Sequence, residues 1–261
     1  MIVARDGEAL RVVTQHDHAR LAAEVLALWR ADALPGHPRR EEILFAVREH
    51  DNGWREADSA PRVDPESGRP RDFTSMPRDV RFEIWLRGVN RHASERPWTA
   101  LLIAHHALAL HRDRRGEAPW DEGFFEPLDE RYAELLDSVE AGDGPPGATR
   151  AGSIPAAVEA DYRYLDQGDT LSLVACGRWD GPGERRGYRW NRSDGGPDVD
   201  EVLALGPFPL AGATTFRVAC RRIPDRRYRG DAELGAELAA ARWSAFRVRL
   251  APAGRTAERP A

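Results

Sequence analysis

Apolar residues recur at helical spacing through the first two thirds of the chain. In the segment that ends at Asp51, Ile43, Val47 and His50 lie at i, i+4 and i+7, which places the imidazole of His50 on the apolar stripe. The same periodicity, bounded by Pro and Gly residues, predicts helices over residues 17–30, 40–51, 79–92, 98–112, 126–140 and 155–176.

Alternating apolar and polar residues predict β-structure near both ends. Residues 2–14 alternate around Asp6 and Gly7, which predicts a short hairpin. Toward the other end the pattern predicts a helix over residues 231–243 and short strands over residues 187–190, 202–205, 215–221 and 246–250.

These elements predict a mainly α protein with a helical core, a short N-terminal β-hairpin and a small C-terminal β-rich appendage. The helical core is expected over residues 1–177, and the appendage, packed on that core, over residues 178–250. Residues 251–261 are expected to form a disordered tail. A long Pro-rich loop is predicted over residues 54–77, and a break over residues 141–147.

Composition narrows the class of protein. A chain with 31% charged and 41% hydrophobic residues is in the range of soluble globular proteins, and its net charge of -5 offers no basic surface for nucleic acid or membrane. The sequence contains no lysine, so that all 38 residues counted as lysine or arginine are arginine, which excludes Schiff-base and lysine-base chemistry. The start lacks a signal-peptide pattern, no apolar run reaches membrane length, and Cys176 and Cys220 make no disulfide framework; we therefore expect a cytoplasmic protein.

Residues that bind metals recur on the apolar stripes of four successive helices. His18 shares a face with apolar residues of the first helix, and His50 and Asp51 end the second, where Asn52 and Gly53 are suited to a left-handed cap. Imidazole nitrogen and carboxylate oxygen are both common metal ligands.

The later two helices complete this set. His106 points toward the core more directly than its neighbour His105, and Asp169 lies on a stripe with Leu165 and Leu173. Asp161 and Asp166 are expected closer to the polar side. Because a buried carboxylate needs a partner, the set predicts a metal site.

Each residue also has an ordinary structural explanation. A histidine on an apolar helix face commonly makes hydrogen bonds in the core, and Asp169 could bond to backbone, an arginine or a serine hydroxyl. The joint occurrence of the four stripes favours metal binding over these alternatives.

The pattern resembles the HD-domain superfamily, which uses an early His, a helix-ending His-Asp pair and a late Asp followed by Leu-Ser or similar. Here these are His18, His50, Asp51 and Asp169. The chain is also similar to an uncharacterised bacterial family, domain of unknown function 3891, in the blocks Gln15–Ala19, Trp29-Arg30, His50–Trp54, Asp64-Pro65 with Gly68 and Pro70, Phe73, Leu101–His106 and Asp169–Leu173. Both resemblances imply that the predicted helical core is HD-domain-like. The resemblance to HD domains also implies metal-dependent phosphohydrolase activity, whereas the 3891 family implies no particular substrate.

We therefore expect a metal-dependent hydrolase, most simply of a phosphoester, with one or two divalent ions (Mn, Fe, Mg, Ni or Zn). The expected metal ligands are His18, His50, Asp51, His106 and Asp169, and Asp51 and His106 are the expected catalytic residues. The expected substrate-binding residues are Trp54, Arg30 and His105, with Arg114 and Arg115 as further candidates for anion contacts unless they are ordinary surface residues.

Two alternatives stay open. A di-iron oxygenase of HD type would need both His105 and His106, or another ligand, and a non-catalytic HD-like protein would bind a ligand with a structural metal or none. The expected partner is a small molecule, phosphorylated if the first hypothesis holds. The β-rich segment could support a homodimer, whereas nucleic acid and membrane are not expected partners.

Overall fold

The computed structural model describes residues 1–143, 154–179 and 181–253. The fold is mixed α and β, with helices packed against a curled seven-stranded sheet. The helices are α1 Gln15–Ala27, α2 Arg40–Glu49, α3 Arg55–Ser59, α4 Arg78–His92, α5 Pro97–His111, α6 Ala118–Trp120, α7 Glu126–Ser138, α8 Ile154–Ala175 and α9 Asp231–Ala240. The strands are β1 Ile2–Asp6, β2 Ala9–Val13, β3 Gly183–Arg185, β4 Tyr188–Gly196, β5 Val199–Gly206, β6 Thr214–Pro224 and β7 Ser244–Pro252.

The sheet joins strands from both ends of the chain. Its order is β1-β2-β6-β7-β5-β4-β3. The β5–β7 pair is parallel and the other neighbouring pairs are antiparallel. The β1–β2 hairpin pairs Ile2 with Val13, and β2 in turn pairs Leu10 with Ile223 of β6.

One hydrophobic core runs through the helices and one face of the sheet. It includes Trp29, which follows the end of α1, together with Trp98 of α5, Leu165 of α8, and Leu203 and Phe246 of the sheet. A second cluster lies where α9 packs its buried Leu234 and Leu238 against apolar residues that include Leu10 and Ile223. The sheet is therefore integrated with the helices by shared burial of apolar surface.

The mainly α prediction understated the β-structure. The predicted hairpin is present, but it is the edge of the large sheet, and β4 and β5 extend well beyond the predicted short strands. The full length of β4 was not predicted, because its second half, Ser193–Gly196, is polar, Gly-rich and exposed and so carries no alternating pattern.

The predicted bounds near the end of the chain also change. β7 continues to Pro252, into the first two residues of the predicted tail, and the tail residues 254–261 lie outside the described residues. Part of the predicted break, residues 144–147, lies outside them as well. Within the described residues, no helix combines the length and the apolar composition needed to span a membrane.

Candidate metal centre

The structure brings together the five residues that were predicted as metal ligands. His18 comes from α1, His50 and Asp51 from the end of α2, His106 from α5 and Asp169 from α8. These four helices pack against one another, and each of the five residues is at most 6% exposed. Burial of two carboxylates among three imidazoles is costly unless their charges and lone pairs are satisfied.

A tight turn after α2 sets the direction of His50 and Asp51. α2 ends at Glu49, and Asn52–Trp54 form a short 3-10 turn. The Asn52 amide donates to the carbonyls of Glu49 (2.7 Å) and Gly88 (3.1 Å), which satisfies a terminal carbonyl of α2 and ties the turn to α4.

Gly53 is needed in this turn because it has no side chain. Its φ is not positive, so the predicted left-handed cap is wrong. A Cβ at Gly53 would lie 2.0 Å from the backbone oxygen of Ile84 and 2.9 Å from the Gly88 nitrogen. Only glycine therefore lets the turn approach α4 this closely.

The ligand atoms form two overlapping groups that share His50. Within each group, His18–His50–Asp51 and His50–His106–Asp169, one ligand atom per residue lies within 4.8 Å of the others. His18 Nε2 is 2.6 Å from Asp51 Oδ2, and His106 Nε2 is 3.8 Å from Asp169 Oδ2.

His50 is the clearest sign of a site for a cation. Its Nδ1 donates to the Val47 carbonyl at 2.7 Å, so in the neutral ring Nε2 carries the lone pair. Nε2 is buried and makes no hydrogen bond, although Asp51 Oδ2 lies at 3.5 Å and Asp169 Oδ1 at 3.3 Å. An unpartnered nitrogen between two carboxylates is a donor set that fits a divalent metal.

The electrostatics of the five side chains agree with this geometry. Burial by itself would lower the pKa of His50, but Asp51 and Asp169 outweigh it and raise that pKa to about 9. The neighbouring His50 and His18 lower the pKa of Asp51 in spite of its burial. The two carboxylates therefore favour positive charge at His50, which either a proton or a metal ion would supply.

The remaining ring nitrogens have partners that orient the rings. His18 Nδ1 lies 2.9 Å from the Ser172 hydroxyl, which itself donates to the Asp169 carbonyl. His106 Nδ1 lies 3.3 Å from the Tyr162 hydroxyl, and burial lowers the pKa of His106 to about 3. His106 is therefore neutral near pH 7, the form that ligates metals.

A cavity of about 770 Å³ opens beside this cluster and is lined in part by Asp51, His106 and Asp169. Its other walls include the aromatic residues Trp54, Phe73, Trp85, Trp179 and Trp190 and the arginines Arg81, Arg178 and Arg185. The combination of apolar walls and a few charged groups is typical of a small-molecule site.

Of the three predicted substrate-binding residues, one lines the cavity and two do not. Trp54 lines the cavity, whereas Arg30 is exposed elsewhere and its backbone N–H bonds to the Pro209 carbonyl. His105 is not part of the cavity lining, and its Nε2 lies 3.1 Å from Glu159.

The other charged candidates have partners. Arg114 pairs with Glu117, and Arg115 makes two hydrogen bonds to Asp129. Asp161 and Asp166 are buried rather than close to solvent, and they are neutralised by arginines: Arg39 bonds to Asp161, and Arg185 and Arg186 bond to Asp166.

Sequence reasoning missed Ser172 and the cavity arginines. Ser172 had a readable signal, since it follows Asp169 by three positions on one helix and so lies on the same face. Arg81 had no such signal in the sequence. In a chain rich in arginine, the sequence does not show which arginines pair with a carboxylate in the folded protein.

His111, on the cavity wall, should make stability sensitive to acid. Burial, with help from Arg81 and Arg114, lowers its pKa to about 4, against a hydrogen bond to the Ala107 carbonyl that raises it. The unfolded chain takes up a proton near pH 6.5 and the folded one does not, so stability is lost as the pH falls from 6.5 toward 4.

We expect His111→Gln to remove roughly 2 kcal/mol of the stability difference between pH 7 and pH 5. Urea unfolding at both pH values measures it. Equal pH dependence in the variant and the wild type would contradict the prediction.

A buried cluster of three histidines and two aspartates beside a cavity defines a candidate metal-binding protein of mixed α/β fold. The chain belongs to the family described as "Protein of unknown function (DUF3891)", whose model matches residues 1–225. Comparison with curated proteins and with solved structures found no match. The predicted family is thus confirmed, and the comparisons give no evidence for the HD-like arrangement.

Proposed function

We propose that this protein is a metal-dependent hydrolase of HD type that acts on a phosphoester of a small molecule. The observation that carries the proposal is the unpartnered His50 Nε2, held between Asp51 and Asp169 with two further histidines around it. The cavity beside the cluster supplies space for a substrate, and its arginines suit an anionic one.

A divalent ion bound here would act as a Lewis acid on a phosphoryl oxygen and would make water a competent nucleophile at neutral pH. The residues that would hold it are His18, His50, Asp51, His106 and Asp169. Ser172 would keep the His18 ring in place. His106 would serve as a ligand rather than a general acid, because burial keeps it unprotonated near pH 7.

The donor set narrows the choice of metal. Three imidazoles favour Zn, Fe, Ni or Mn over Mg, which prefers oxygen ligands. The dioxygen alternative has less support, because His105, which a di-iron site would recruit, faces Glu159 and Tyr132 instead of the cluster.

The test measures metal content and turnover together. Protein purified without chelators is analysed for metals and assayed with p-nitrophenyl phosphate and bis-p-nitrophenyl phosphate. Asp51→Asn is compared with Asp113→Asn, whose side chain is 97% exposed. We expect at least one equivalent of a transition metal and turnover in the wild type and in Asp113→Asn, and a loss of turnover greater than about 100-fold in Asp51→Asn.

Other outcomes would overturn the proposal. Bound metal without turnover of either ester would favour a non-catalytic binding protein. Two equivalents of iron with a visible absorption band would favour oxygen chemistry.

A further inference from the structure

We propose that Arg81 binds a second anionic group of the substrate, so that the substrate is a phosphoester with a flat apolar body and a carboxylate or phosphate at its other end. This inference rests on the proposed function for the ester at the metal centre. There, the bond from phosphorus to the ester oxygen breaks, water supplies the new oxygen to phosphorus, and a proton goes to the leaving alcohol.

Arg81 is a cavity residue whose charge has no counter-ion. Its Nε donates to the Met76 carbonyl at 2.7 Å and its Nη2 donates to the Thr74 carbonyl. In the described part of the chain, no carboxylate lies within 4.0 Å of its guanidinium. Arg185, on the same cavity, instead has Asp166 at 2.5 Å. A half-buried, uncompensated guanidinium is a natural anion receptor.

His111 fixes the guanidinium without neutralising it. The Nδ1 of His111 donates to the Ala107 carbonyl at 2.8 Å, so its Nε2 is free to accept from Arg81 Nη1 at 3.5 Å. These contacts leave one N–H on each terminal nitrogen of Arg81 without a partner in the described residues. Burial and the Arg114 guanidinium also lower the pKa of Arg81, against Asp72, so an anion would relieve a destabilised charge.

A second guanidinium reaches the same place. Arg178, which also lines the cavity, donates to the Thr74 hydroxyl at 3.1 Å, and its nearest carboxylate oxygen, on Asp72, is 3.8 Å away. Two guanidiniums that meet at Thr74 make this end of the cavity positive.

Trp85 lies close to both the metal centre and the positive end of the cavity. Its ring centroid is 5.6 Å from that of His106, a predicted ligand, and 6.4 Å from that of His111, which contacts Arg81. The same cavity is lined by Leu110 and Trp179, which are 48% and 45% exposed. A flat apolar body that spans from metal to arginine would cover such surfaces.

The test compares two aryl phosphates that differ by one carboxylate. The metal-loaded wild type is assayed with phenyl phosphate and 4-carboxyphenyl phosphate. We expect the carboxylate to raise kcat/KM by about tenfold or more, mainly through a lower KM. Arg81→Gln should lose this preference, so that its kcat/KM becomes nearly equal for the two phosphates. The control Arg229→Gln, at an arginine whose side chain is 92% exposed, should retain the preference.

Binding of benzoate, followed by tryptophan fluorescence, needs neither metal nor turnover. We expect Arg81→Gln to weaken benzoate binding about tenfold or more. Arg81→Lys keeps the charge but loses the planar, two-nitrogen donor group, and should weaken benzoate binding less. Equal benzoate binding in wild type and Arg81→Gln, at equal melting temperature, would overturn the anion site. Benzoate binding that depends on Arg81, without turnover of either phosphate, would keep the anion site and overturn the proposed function.

Discussion

Replacement of Gly53 by alanine is expected to lower the free energy of unfolding by about 3 kcal/mol or more. The added Cβ would lie 2.0 Å from the backbone oxygen of Ile84. Because that oxygen belongs to the backbone of α4, the clash can be relieved only if the turn or the helix moves. Because Asp51 immediately precedes this turn, the same substitution should also weaken metal binding. Urea unfolding and metal titration of the purified variant measure the two effects.

Gly235→Ala is the matched control for this substitution. Gly235 lies in α9 with open space around its hypothetical Cβ, so alanine there should stabilise the protein by roughly 0.5–1 kcal/mol through helix propensity. If Gly53→Ala were as stable as the wild type, the close approach of the turn to α4 would be wrong.

Metal removal is expected to destabilise the protein. A metal at a hundred times its dissociation constant stabilises the folded state by about 2.7 kcal/mol, which corresponds to a rise in Tm of roughly 5–10 °C for a chain of this size. A chelator should reverse that rise. Thermal melts of metal-free protein with and without added Mn, Zn, Ni or Fe measure it.

The variants Asp169→Asn and Asp113→Asn test whether the metal-dependent rise in Tm comes from the buried cluster. Asp169 lies within 3.3 Å of the unpartnered His50 nitrogen, so Asp169→Asn should abolish most of the metal-dependent rise in Tm, while Asp113→Asn should show all of it. A rise that persists in Asp169→Asn would mean that the metal binds elsewhere.

The helices and the ligand set were readable from the sequence because both depend on local periodicity. His18, His106 and Asp169 lie on apolar stripes, and once their helices pack together, those stripes face one point. The roles of individual residues at the site nevertheless stay predictions, since no catalytic event can be read from burial.

The sheet and the anion site were not readable, because both depend on contacts between distant segments. The pairing of β2 with β6 joins residues more than two hundred positions apart, and no local pattern encodes that choice. In the same way, Gly53 was assigned to backbone freedom, since its neighbour Ile84 in α4 becomes visible only when the helices have packed.

The place of β7 in the sheet has a consequence for how the molecule can be divided. The family match ends at residue 225, but β7, which comes later, pairs with β6 on one side and β5 on the other. A fragment cut at the family boundary would split the sheet in two and leave unpaired inner strands prone to aggregation. The cooperative folding unit is therefore larger than the family's sequence signature.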